Sequence, residues 1–107
     1  MINREKAIEI AQRQIAIMAV RSNLDLALVL EDTVEFDLGW IFLWDSKKFL
    51  ETHDFSEALA GNAPMIVDRR DGSVHQTSTA LAKADELIEW YHQQQDARIG
   101  EIKVSAR

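Results

Sequence analysis

The feature that most constrains this chain is a change of hydrophobic period at Leu24. Upstream, apolar residues recur every three or four positions. Downstream, Leu24, Leu26, Leu28 and Leu30 alternate with Asp25, Ala27, Val29 and Glu31, and Val34, Phe36 and Leu38 continue opposite Thr33, Glu35 and Asp37. A period of two marks a pleated strand, because successive side chains point to opposite faces. Only Asp32 breaks the apolar side. The stretch therefore reads as one long strand, or as two collinear pieces with a bulge near Glu31-Asp32. Gly39 then precedes Trp40-Ile41-Phe42-Leu43-Trp44, with Trp40, Phe42 and Trp44 on one side and Ile41 and Leu43 on the other. A strand apolar on both sides is central in its sheet. Asp45-Ser46-Lys47-Lys48 reads as a turn or exposed strand end, and Phe49-Leu50 as a possible extension.

The flanks read as helices. Over residues 4–20, Ile8, Ala11, Ile15 and Met18 mark one helical face, widened by Ala7, Ile10 and Ile17. Asn3 is the expected N-cap, with Glu5 in the first turn, where the helix dipole favours an acid. Ser22-Asn23 ends the segment. Residues 52–61 form a connection with one short turn over 57–60, capped by Asp54 or Ser56. Pro64 opens a strand over 65–70, and Asp71-Gly72 signals a two-residue type I′ hairpin to a return strand over 73–79. A second helix covers 80–95, capped by Ser78 or Thr79, with Leu81, Ala84, Leu87 (or Ile88) and Tyr91 on one face. The tail from Asp96 frays, or adds a weak edge strand through Ile99, Ile102 and Val104. The order predicts an α+β fold: an antiparallel sheet of about four strands, with the N-terminal and C-terminal helices packed on one of its faces.

At 107 residues and 47% apolar, the chain suits one domain spanning 1–107 with a real core. It has no cysteine, which excludes disulfide scaffolds and thiolate metal sites and suits a cytoplasmic protein. Charge arrives at once in Met1-Ile2-Asn3-Arg4-Glu5-Lys6, unlike a signal peptide, and no apolar run is long enough to span a bilayer. The net charge is −6. Between Arg21 and Lys47 stand Asp25, Glu31, Asp32, Glu35, Asp37 and Asp45, and no basic residue. Such a surface repels nucleic acid and anionic membrane and attracts basic proteins.

Signatures of catalysis are missing. His53, His75 and His92 share no ligand-like spacing, and no GxSxG elbow occurs. Ser46, Ser56, Ser73 and Ser78 fall at turns or caps. The four glycines are too far apart for a phosphate cradle. Glu35 with Asp37, and Asp68 with Asp71, read as solvated charge. No catalytic residue, metal or cofactor is expected. The aromatic stripe of Trp40, Phe42 and Trp44 reads as core, although tryptophan also anchors interfaces. Trp90 and Tyr91 cannot both face inward fully.

The run Glu35-Phe36-Asp37-Leu38-Gly39-Trp40-Ile41-Phe42-Leu43-Trp44 resembles a strand of the YrhB-domain family, also called immunity protein 35. Leu59-Ala60-Gly61-Asn62-Ala63-Pro64, Ile66-Val67-Asp68-Arg69 and Asp71-Gly72-Ser73-Val74 are similar in order and spacing, so the resemblance covers roughly residues 25–80. It implies a small cytosolic α+β protein that neutralises a toxin by direct binding, or a small heat-stable chaperone. The matching residues imply structural roles: freedom at Gly39 before a packed Trp40, a turn with positive φ at Gly61 and Asn62, and a strand start at Pro64.

The expected function is binding of a cognate bacterial toxin, itself basic, by a monomer or homodimer. Glu31, Asp32, Glu35, Asp37 and Trp40 are the expected contact residues. The alternatives are a holdase chaperone and a small-molecule pocket between helix and sheet, lined by Trp40, Phe42 or Trp44.

Overall fold

The computed structural model describes residues 1–59, 62–77 and 83–105. Helix α1 spans Arg4–Ser22. The Asn3 side chain accepts the Lys6 N–H at 2.9 Å, and Asn23 closes the helix in the left-handed conformation. The alternating segment then folds as β1 (Leu26–Leu28), a 3₁₀ turn (Leu30–Asp32) and β2 (Val34–Phe36). β3 (Gly39–Phe42) runs back along β2, and β4 (Trp44–Ser46) along β1.

These four strands are one bent ribbon. From Leu28 to Val34 the chain advances six residues while its partner advances three, from Trp44 back to Ile41. The surplus is looped out as the 3₁₀ turn. The bulge expected at Glu31-Asp32 is thus present, and it is large enough to divide the ribbon between two sheets. β1 and β4 form a two-stranded sheet. β2 and β3 join β5 (Met65–Asp68) and β6 (Val74–Gln76) in a four-stranded antiparallel sheet of order β2-β3-β5-β6.

The fold class is α+β, with one correction to the layering. β3 and β5 are buried along their whole length. Trp40, Phe42, Met65 and Val67 pack against Ala7, Ala11 and Ile15 of α1. Ile41, Ile66 and Phe36 pack against Leu87 and Tyr91 of α3 (Ala84–Ser105). The two helices cover opposite faces rather than one. A strand with apolar residues at odd and even positions requires this, since each such side chain buried is worth roughly 1.5–3 kcal/mol. The close approach of β3 to β5 depends on Gly39, where a Cβ would lie 2.0 Å from the Val67 carbonyl oxygen.

Other boundaries move for local reasons. Phe49-Leu50 do not extend a strand. Ser46 starts helix α2 (Lys47–Thr52), its Oγ accepting the Phe49 N–H at 3.0 Å and donating to the Glu57 carbonyl at 2.7 Å. Asp54 caps a 3₁₀ turn at Phe55–Glu57, earlier than the expected 57–60, by accepting the Ser56 N–H. The β5–β6 connection is not a two-residue type I′ turn. The Asp68 N–H bonds to the Ser73 carbonyl at 2.9 Å, leaving residues 69–72 as the turn, and of these only Gly72 has positive φ. The Asp68 carboxylate takes the Arg70 N–H at 2.8 Å, which pulls Arg69 and Arg70 out of the strand. Asn62 lacks the expected positive φ; its Nδ2 donates to the Trp44 carbonyl at 2.7 Å. The backbone of α3 is helical to Ser105, in place of a frayed or strand-like tail. Gly61, Ser78, Thr79 and Leu81 lie outside the described residues. Among the described residues no helix is long and apolar enough to cross a membrane.

Candidate interaction surface

The acidic segment is dispersed by the ribbon. Glu35 stands across from Trp40 in the β2–β3 pair, on the α1 side. Its Oε1 accepts the Trp40 indole N–H at 3.1 Å and its Oε2 accepts Arg69 Nη2 at 3.2 Å. The bond from Arg69, then that from Trp40, holds the Glu35 carboxyl below its ordinary value. Arg69 also donates to the Phe36 carbonyl at 2.7 Å and lies 4.7 Å from the Trp40 ring centre, a cation–π distance. Trp40 itself is only 2% exposed. It supports this corner from beneath and presents no ring to a partner, which corrects its expected place among the contact residues.

Asp37, in the turn after β2, goes the other way. Its Oδ1 lies 2.9 Å from His92 Nε2 on α3. Glu31 and Asp32 are exposed in the 3₁₀ turn and make no ion pair among the described residues. With Asp25, which precedes β1, they bracket that strand with negative charge. The structure therefore brings Glu31 and Asp32 together and separates them from Glu35 and Asp37, each engaged by its own cation or imidazole.

Beside β1 the surface turns apolar. Val20 is 83% exposed on the last turns of α1, with Ile17 and Leu24 also open. Met18, Leu24, Leu26, Trp44, Leu59 and Asn62 line a cleft of about 210 Å³. The Trp44 indole N–H is engaged by the Ala63 carbonyl at 2.8 Å. Of the three aromatics proposed for a pocket, Trp44 lines this cleft, while Trp40 and Phe42 are sealed in the core. Sequence reasoning missed this surface. Its signal was the stripe on α1, too wide for the single face that one sheet can cover.

A second polar cluster lies under α3. Asp68 is 2% exposed, which corrects its reading as solvated charge. Its carboxylate accepts Arg70 Nε at 3.0 Å, Arg70 Nη2 at 2.7 Å and the Tyr91 hydroxyl at 2.6 Å. Burial pushes this carboxyl up, but the bonds from Arg70 and Tyr91 outweigh burial and hold its pKa at about 2. Burial, then the bond to Asp68, pushes the Tyr91 hydroxyl up.

Nearby, Ser73 Oγ is 2.6 Å from Asp71 Oδ1 and 2.7 Å from His75 Nε2. An ionised carboxylate only accepts, so the single hydroxyl proton goes to Asp71 and His75 Nε2 donates to Ser73. That is the reverse of an imidazole drawing a proton from a serine nucleophile. Among the described residues, no three metal-ligating side chains group together.

A bent ribbon between two helices, with Asp25, Glu31, Asp32 and the apolar surface at its β1 end, defines an α+β scaffold with an exposed face and the polar cluster locked beneath a helix. The chain belongs to the immunity protein 35 family, which matches residues 5–94. It is 43% identical over 56 residues to the uncharacterized protein YrhB of Escherichia coli (strain K12). That match covers 52% of this chain and 60% of the relative, so the chain spans less than two thirds of that curated relative's length. No solved structure gives a significant match.

Proposed function

We propose that this chain is a cytoplasmic immunity protein that binds a cognate bacterial toxin directly and neutralises it by occlusion, without catalysis or a cofactor. The observation that carries this reading is membership of the immunity protein 35 family across residues 5–94. The charge distribution supports a basic partner: Asp25 at one end of β1 and Glu31 and Asp32 at the other flank the strand, with no basic residue between Arg21 and Lys47. Such a patch raises the association rate more than the affinity. Glu35 and Asp37 contribute to the field, each damped by its own partner.

The test is binding to the toxin encoded beside the gene. The wild-type protein should form a complex and protect cells that express the toxin. Reversing Glu31 and Asp32 to lysine should slow association by about tenfold at low salt and flatten its salt dependence. A toxin that shows no complex with the wild-type chain removes the reading.

A holdase role is the second reading, favoured by the exposure of Ile17, Val20, Leu24 and Phe55. It predicts suppressed aggregation of unrelated heated enzymes, which an inhibitor of one toxin does not produce.

A further inference from the structure

We propose that the open edge of β1, with the groove between it and α1, receives an extended, basic segment of a protein partner by strand addition. This rests on the inhibitor reading above and names the surface it uses.

The register exposes the edge. The Lys47 N–H bonds to the Asp25 carbonyl at 2.9 Å and the Val29 N–H to the Leu43 carbonyl at 2.8 Å. Asp25, Ala27 and Val29 therefore bond toward β4. In an antiparallel ladder the alternate residues turn the other way, so the N–H and C=O groups of Leu26 and Leu28 point outward. Among the described residues β1 has no second neighbour in its sheet. Natural edges are blunted by proline, lysine or an inward charge. Leu26-Ala27-Leu28 carries none of these.

A groove of about 320 Å³ runs beside this edge. Ile15, Ala16 and Gln12 of α1 form one wall, and Leu26, Leu28 and Leu30 the other. An added strand would take up the free backbone groups and lay every second side chain toward the α1 wall, one of them over the small Ala16, the division of labour by which edge-binding domains gain affinity and specificity.

Charge selects the occupant. Asp25 stands at one end of β1, and Glu31 and Asp32 at the other. A second copy of this strand would line up three carboxylates from each chain along one joint, and like charges across a strand pair destabilise it. The complementary segment has an apolar centre flanked by lysine or arginine.

The experiment uses ¹⁵N-labelled full-length protein and a pentapeptide, Lys-Val-Thr-Val-Lys, with its glutamate-flanked counterpart as control. The amides of Leu26 and Leu28 should shift, and their solvent exchange should slow by about tenfold with the lysine peptide. The glutamate peptide should bind about tenfold more weakly. Leu28→Pro removes an N–H that no bond among the described residues uses and should block the uptake. Ala16→Arg, at an exposed helix position, fills the groove without touching the core and should weaken binding about tenfold even where the proline variant folds poorly.

Absence of shifts at Leu26 and Leu28 at millimolar peptide, shifts confined to β2 or β6, or an indifferent Ala16→Arg overturns the proposal. The neighbouring-gene toxin, tested with the same variants, separates the two readings. Equal toxin binding by wild type and Ala16→Arg overturns the edge and leaves the inhibitor. Peptide uptake at the edge with no toxin bound overturns the inhibitor and leaves the edge.

Discussion

Asp68→Asn should lower the stability of the fold by about 2–3 kcal/mol at neutral pH and should remove the part of its acid dependence that this carboxylate carries. The carboxylate is 2% exposed and receives the Arg70 backbone N–H, two guanidinium nitrogens and the Tyr91 hydroxyl. It is held at about 2 instead of its ordinary 3.8. At about 1.4 kcal/mol per pH unit, that difference is worth about 2 kcal/mol, and so little exposure leaves it largely unscreened. The folded-state pKa is depressed. The contribution is therefore complete above about pH 4 and is lost as pH falls through about 2. Asparagine keeps the shape and one acceptor oxygen but leaves a buried donor short of a partner, which adds a cost of about 1 kcal/mol. Urea unfolding followed by tryptophan fluorescence at pH 7, 3.5 and 2 measures the gap between wild type and variant. The gap should be widest at pH 7 and should shrink steadily into acid. A gap that is absent at neutral pH, or constant across the series, refutes the assignment of this carboxylate as the lock between sheet and α3.

Gly39→Ala forces a Cβ to within 2.0 Å of the Val67 carbonyl oxygen, so β3 and β5 must part. The loss should reach about 3 kcal/mol or more in a thermal melt, and a melt like wild type would show that the strands can separate cheaply. Arg69→Ala removes the principal cause of the low Glu35 pKa. The Glu35 carboxyl should then titrate higher by NMR, and an unmoved titration would place its stabilisation elsewhere.

Much of the scaffold was legible because its signals are local. Asn3 caps α1 through a single side-chain bond, and the period-two run beginning at Leu24 does hold the strands. The two-sided burial of β3 was also written in Trp40-Ile41-Phe42, since both residue parities are apolar. Its consequence, a helix on each face, follows only when both helices are placed in space. The bend was legible in position at Glu31-Asp32. Its size was not, because register is set by partner strands distant in sequence. Asp68 looked like any strand carboxylate, and only the arrival of Tyr91 from α3 makes it a buried anion. In the same way, the acids of residues 25–37 form one block on paper, yet the ribbon hands Glu35 to Arg69 and Asp37 to His92.

The looped-out turn at Leu30–Asp32 has a bearing on how such a protein can diversify. Its residues belong to neither hydrogen-bonded ladder, so their number and charge can change while both sheets keep their registers. Selection acting on this short extrusion can redraw the electrostatic face of this end of the molecule without reopening the problem of folding.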